Sequence, residues 1–251
     1  MTEFLPVSST GHLILAGALL DYPEAQRVTM EIFIQLGAIL AVFWVFGAEL
    51  LDLTRRLPHD PPARALVLKV LLAFVPAAVL GLLAHHAIEE HLLSPRSVAV
   101  ALVVGGIVIL LVERLRLRPR VEQLEATTWR DALGVGAAQM LSLVPGVSRA
   151  GATIVGGLLM GLSRPVATQF SFYLALPTVS AASLFSLAKG YRLLGAGDVL
   201  PLAVGFIAAY VSALVVIRSF LGYVRAHDFR VFGWYRIVIG IVVYVLVARA
   251  G

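Results

Sequence analysis

Long apolar runs separated by short charged stretches dominate the chain. Six of the runs are long enough to cross a bilayer: residues 31–50, 66–84, 97–113, 166–187, 199–217 and 234–249. A helix needs about 20 apolar residues to span the hydrocarbon core, and about 17 suffice. The pattern predicts an all-α polytopic membrane protein, a single membrane domain over residues 1–251. Two further apolar stretches, 2–20 and 131–161, are interrupted near their middles by Pro, Gly, Ser and Thr.

The basic residues decide how those two stretches are counted. Arg55, Arg56, Arg64 and Lys69 follow the first span; Arg114, Arg116, Arg118, Arg120 and Arg130 follow the third; Arg218, Arg225, Arg230 and Arg236 follow the fifth. Thirteen of the twenty basic residues thus fall in three alternate loops, while the opposite side holds Arg27, Arg96, Lys189, Arg192 and Arg249. Basic loops are retained in the cytoplasm, which puts both chain ends on the outer side. The alternation fails if either interrupted stretch crosses fully. Each is therefore expected to be a re-entrant hairpin, since broken backbone is tolerated at membrane depth where it lines a polar cavity. Simple Gly/Pro kinks in ordinary spans are the competing explanation.

With hairpins, the order of elements repeats: a broken hairpin and three spans over 2–113, then again over 131–249. Three spans are an odd number, so the second half is inverted. Pro6 and Pro145 occupy matching places 139 residues apart, and the same offset pairs Gly37 with Leu176. Inverted repeats with interrupted helices place their ligand site near the midplane, where the breaks meet.

Composition agrees. Hydrophobic residues make up 59% and charged residues 14%, against about a quarter charged in soluble domains. The net charge of +5 comes from the Arg-rich loops, so it does not point to nucleic acid. The chain has no Cys, which excludes disulfides, thiolate zinc sites and cysteine nucleophiles. Residues 1–20 carry Glu3 and His12 and no basic leader, unlike a cleavable signal peptide.

Both breaks carry chemistry. In Thr2–His12 and in Pro145–Thr153, a Pro ends one helical stretch and a Ser/Thr/Gly cluster opens the next. Free N–H groups at a helix start, with hydroxyls beside them, form an anion site. Arg149 adds a permanently charged fork matched to phosphate oxygens. Taken singly, Ser8, Ser9, Thr10 and Ser148 read as helix caps, and Gly151, Gly156, Gly157 and Gly161 as helix-packing residues. Glu3, His12 and Arg149 resist that reading, because an ionisable group in an apolar segment costs about 2.5–3.5 kcal/mol on insertion scales. The cluster His85, His86, Glu89, Glu90 and His91 reads as a solvated outer loop rather than a metal site. Glu31 and Gln35 either border the site or join helices, and Arg164 meets headgroups or substrate.

The stretches TEFLPVSSTGHLIL at 2–15 and PGVSRAGATIVGGLLMGLSR at 145–164 resemble the two signatures of the undecaprenyl-diphosphate phosphatase, or bacitracin-resistance, family. IQLGAILAVF at 34–43, ALVVGG at 101–106 and FSFYLALP at 170–177 extend the likeness along the chain. The resemblance implies a multi-pass plasma-membrane hydrolase that removes the terminal phosphate of a C55 polyprenyl diphosphate, regenerating the lipid carrier of peptidoglycan synthesis. It also implies six spans, two re-entrant hairpins, an outward-opening site and a divalent cation, Mg2+ or Ca2+. Oligomeric state is left open, a homodimer included. Carried over by position, Glu3 is the acidic residue that would hold the cation or steer a proton. Ser8, Thr10, Ser148, Arg149 and Thr153 would bind the phosphates, and Arg149 would also serve in catalysis. The nucleophile would be Ser9, His12 or a metal-activated water, with His12 otherwise acid or base. The space between the halves would take the isoprenoid tail.

Three departures from the family's pattern stand out. The chain begins inside the first signature, without about twenty residues that members carry before it, a second Glu four positions upstream of Glu3 among them. Half of the first hairpin is therefore expected to be absent, and activity of this polypeptide to be weak or absent. Ala150 stands where a Ser is usual, and Gln169 where a Glu is common. The alternative function is a polyprenyl-phosphate transporter or flippase, which would use the same Arg and helix termini without hydrolysis. A lipid phosphatase with two His and a downstream Asp does not fit, since no His follows Arg149 until His227.

Overall fold

The computed structural model describes the backbone of residues 2–20, 24–92, 94–190 and 199–250, with side chains described there except at 18–20, 24–29, 85–87, 89–91, 189–190 and 247–250. The apolar runs are helices throughout: α1 Ser9–Leu20, α2 Glu24–Val45, α3 Gly47–Arg56, α4 Pro61–Leu92, α5 Pro95–Arg114, α6 Trp129–Met140, α7 Arg149–Leu159, α8 Arg164–Gly190, α9 Val199–Tyr223 and α10 Arg230–Ala250. Among the described residues no strand forms, only a single bridge between Val121 and Leu162. Local chemistry sets several starts. Ser94 accepts from the Ser97 amide ahead of Pro95, and Thr128 and Asp131 form a reciprocal capping box on α6.

Among the described residues, α4, α5, α8 and α9 are each long and apolar enough to cross a membrane, and α2 with α3 makes a fifth candidate, bent by 67°. That bend corrects the expected first span, which does not run on to residue 50. Its apolar helix ends at Val45, and α3 turns aside because Glu49, Asp52, Arg55 and Arg56 cannot follow α2 into hydrocarbon. α10 occupies the last expected run over 21 residues.

α5 packs along α10, α2 along α9, α4 against α6, and α7 between α6 and α8. Backbones come unusually close at glycines: a Cβ on Gly106 would lie 2.6 Å from the Gly233 carbonyl, and one on Gly37 would fall on the Phe206 carbonyl. The core is aromatic at its centre, where Phe172 meets Phe4 (5.6 Å between ring centroids), Phe46 (5.7 Å) and Phe220 (6.3 Å). Outward faces are apolar too. On α9, Leu202, Ala209, Ala213 and Ile217 are buried while Leu200, Val204, Ile207, Val211 and Val215 are exposed. A helix apolar on all sides needs lipid as its solvent.

The basic loops are tied together by ion pairs. Arg56 meets Asp60 and Glu125, Arg120 reaches Asp131 at 2.5 Å, and Arg164 grips Glu113, its Nε 3.0 Å from Oε1. The 120–121 backbone is strapped to Gly161 and Ser163. Gly161, at φ +86, makes the turn out of α7 rather than a helix contact. Two basic residues assigned to loops are in fact buried. Lys69 lies on α4 against Glu125 and Trp129, and Arg236 lies inside α10 at 2% exposure.

Candidate functional site

Both interrupted stretches are broken where the Pro, Gly and Ser residues stand. Residues 2–7 form turns, Ser8 takes φ +67, and α1 begins at Ser9. In the second, α6 ends in a short 3-10 turn at Leu141–Leu143, Gly146 takes φ +92, and α7 begins at Arg149. A positive φ is cheap for Gly146 and strained for Ser8. Ser148 caps α7 by accepting from the Gly151 amide at 3.0 Å.

The breaks touch each other. Ser148 Oγ donates to the Leu5 carbonyl at 3.3 Å. The Arg149 guanidinium lies 3.6 Å from the Glu3 carboxylate, donates to the Glu3 carbonyl (3.4 Å) and the Ser171 carbonyl (3.3 Å), and sits 5.7 Å from the Phe4 ring. Its Nε is buried without a partner. Glu3, Ser8, Ser9, Thr10, Ser148 and Arg149 line one pocket of about 240 Å³, joined by Gln35, Ser142 and Thr178. That is the volume of about eight waters. It is large enough for a diphosphate group and too small to enclose a whole C55 tail.

Two residues expected at the site stand outside the pocket lining. Thr153 is fully buried and donates back to the Arg149 carbonyl at 2.9 Å while meeting Ser171 Oγ at 2.7 Å, so it braces the first turn of α7. His12 lies one turn into α1. Its Nδ1 donates to the Ser8 carbonyl at 2.7 Å, which leaves Nε2, 2.7 Å from the Tyr235 hydroxyl, as the acceptor in the neutral ring. Gln35 borders the pocket and accepts from Ser183 at 3.3 Å. Arg164 is spoken for by Glu113, and about 21 Å of α8 separates it from Thr178 at the pocket. It does not line the pocket at the breaks. Gln169, likewise, bonds Glu49 at 3.1 Å away from the pocket. The His85–His91 cluster lies outside the residues whose side chains are described, His85, His86, Glu89, Glu90 and His91 all being among those left out.

Sequence reading missed Arg236. It is buried behind the pocket, where it donates to the carbonyls of Pro6 (3.3 Å), Gly146 (3.1 Å), Ala101 (3.2 Å) and Leu102 (3.4 Å). The available signal was its position inside an apolar run, six residues past Arg230.

Among the described residues no group of three or more His, Asp or Glu could hold a metal. The pocket offers one carboxylate, several hydroxyls and an amide oxygen. That donor set fits a hard cation that takes its other ligands from phosphate and water, as Mg2+ commonly does.

Residues 1–242 match the family described as bacitracin resistance protein BacA. The undecaprenyl-diphosphatase 2 of Rhodospirillum rubrum is 54% identical over 245 residues, covering 97% of this chain and 89% of that protein. The undecaprenyl-diphosphatase of Methylococcus capsulatus is 48% identical over all of this chain and 94% of its own length. That of Cupriavidus necator is 47% identical over all of this chain and 92% of its own length.

Proposed function

Because the chain belongs to the bacitracin resistance protein BacA family, we propose that it is an undecaprenyl-diphosphatase of the bacterial plasma membrane. It hydrolyses undecaprenyl diphosphate to undecaprenyl phosphate and phosphate. The observation that carries this reading is the Arg149–Glu3 pair joining the two breaks in a pocket the size of a diphosphate. The transporter alternative has no support, since the named relatives are hydrolases.

Phosphoryl transfer asks mainly for charge neutralisation and alignment. Arg149, with one unpartnered N–H, and the free amides at the starts of α1 and α7 meet the charge that grows on the departing phosphoryl oxygens. Ser8, Thr10 and Ser148 hydrogen-bond the phosphates, and Thr153 acts by fixing the Arg149 turn. For the nucleophile, pocket lining favours Ser9 or a water beside it over His12. His12 Nε2 is the base nearest α1's start, exchanging its proton through Tyr235. Glu3 is the residue that would hold a divalent cation, Mg2+ or Ca2+, which when bound supplies further positive charge to the diphosphate.

In the membrane, α2, α4, α5, α8, α9 and α10 are six spans in two inverted halves, with re-entrant breaks before α2 and between α6 and α7. The ion-paired basic loops face the cytoplasm, and the pocket and both termini face out. The support is the clustering of Arg56, Arg120 and Arg164 pairs at the end of the bundle away from the pocket. The test is phosphate release from undecaprenyl diphosphate by purified protein in detergent, with Mg2+ or a chelator. Release is expected to need the cation and to collapse in Arg149→Ala; undiminished release from that variant overturns the assignment.

A further inference from the structure

Arg236 sits on α10, a third element, yet its Nη1 donates to Pro6 of one break and its Nη2 to Gly146 of the other. Its remaining bonds anchor it to Ala101 and Leu102 of α5. All four acceptors are backbone carbonyls, and no carboxylate pairs with it among the described ion pairs. A cation in this position is costly to bury and is not needed for packing, since an apolar side chain of similar volume would fill the space. The surroundings are shaped around its head. A Cβ on Gly105 would fall on Nη2 and lie 2.8 Å from Cζ, and one on Gly151 would lie 3.5 Å from Nη1. The guanidinium is thus clasped between α5 and the first turn of α7.

Resting on the phosphatase reading above, we infer that Arg236 is a positioning residue that sets the separation of the two breaks, and so the fit of the site to a diphosphate. Ser148 and Arg149 also bridge the breaks, but both line the pocket. A bound phosphate competes for their donors, so their bridging bonds loosen as the substrate enters. Arg236 lies outside the pocket lining and keeps its hold through the reaction. Its forked head is required, because an ammonium cannot reach carbonyls on two segments at once with fixed geometry.

The test combines kinetics with a readout that needs no activity. In Arg236→Met and Gly105→Ala, kcat for phosphate release is expected to fall more than tenfold with KM changed less than threefold, and Arg236→Lys to recover only part of the loss. Gly105→Ala leaves the arginine in place and evicts its head, so it decides the matter if Arg236→Met does not fold. Arg230→Met, at the exposed start of the same helix, serves as control and should behave as the parent. The chain has no native Cys, so Leu5→Cys with Ser148→Cys gives a clean pair for a short thiol cross-linker across the breaks. Its yield at fixed time should drop at least fivefold when Arg236→Met or Gly105→Ala is added. Unchanged yield and unchanged kcat in both variants overturn the inference. A rise in KM with kcat intact also overturns it, making Arg236 a phosphate ligand instead. If the parent protein releases no phosphate, the functional reading fails while cross-linking still judges Arg236.

Discussion

At the basic end of the bundle, Arg56, Arg120 and Arg164 each lie against a carboxylate; around the breaks, the described ion pairs give Arg149 and Arg236 only Glu3 between them. The basic end is settled internally. Hydrogen bonding to Glu125 and Asp60 pushes the Arg56 guanidinium above its ordinary value, and Glu113 satisfies both Arg164 and the Phe229 amide. A cavity of about 410 Å³ opens there, larger than the pocket at the breaks; Glu113, Arg164 and Asp228 in its lining are ion-paired, while Arg118 and Arg225 stand exposed on its rim. At the breaks, by contrast, the Nε–H of Arg149 is buried and has no acceptor. Size alone would choose the wrong cavity. A buried guanidinium donor without an acceptor marks the place where an anion completes the structure.

Removing charge at each end should separate these two roles. Arg149→Ala should lower kcat for phosphate release about 10²–10³-fold, the cost of losing a donor to developing charge. Glu3→Gln should cost about 10²-fold and flatten the Mg2+ dependence, read by titrating the cation. Glu113→Gln, at the other end, should leave turnover per folded molecule unchanged but reduce stability by about 1–2 kcal/mol, seen as a lower melting temperature in detergent. The figure sits below that for a fully buried pair because Arg164 is 41% exposed. Arg118→Gln, exposed at the rim of the larger cavity, should change stability by less than about 0.5 kcal/mol and leave activity alone. A large activity loss in either of the last two would end the distinction.

The apolar helices and the breaks were legible because their signals are local: apolar length, and Pro, Gly and Ser where a helix must stop. Arg149 was legible because its neighbours form a helix start. Arg236 was passed over because it stands two residues into the last apolar run and was counted with the loop arginines Arg225 and Arg230 before it. Its burial depends on Gly105 of α5 and on carbonyls more than 80 residues away. Lys69 was misplaced for the same reason, and Arg164 because Glu113, its partner, lies in another span. The bend at Phe46 was written in the charges of α3, but an apolar-length criterion runs through it.

That small cavity has a consequence for how the protein meets its substrate. On the proposed function, a pocket of about 240 Å³ takes hold of the lipid by its diphosphate head while the isoprenoid chain stays dissolved in the bilayer. Encounter then happens in two dimensions, by lateral diffusion along the leaflet. The concentration that governs saturation is the substrate's mole fraction among lipids, so diluting the protein's membrane with inert lipid should slow it as surely as removing substrate.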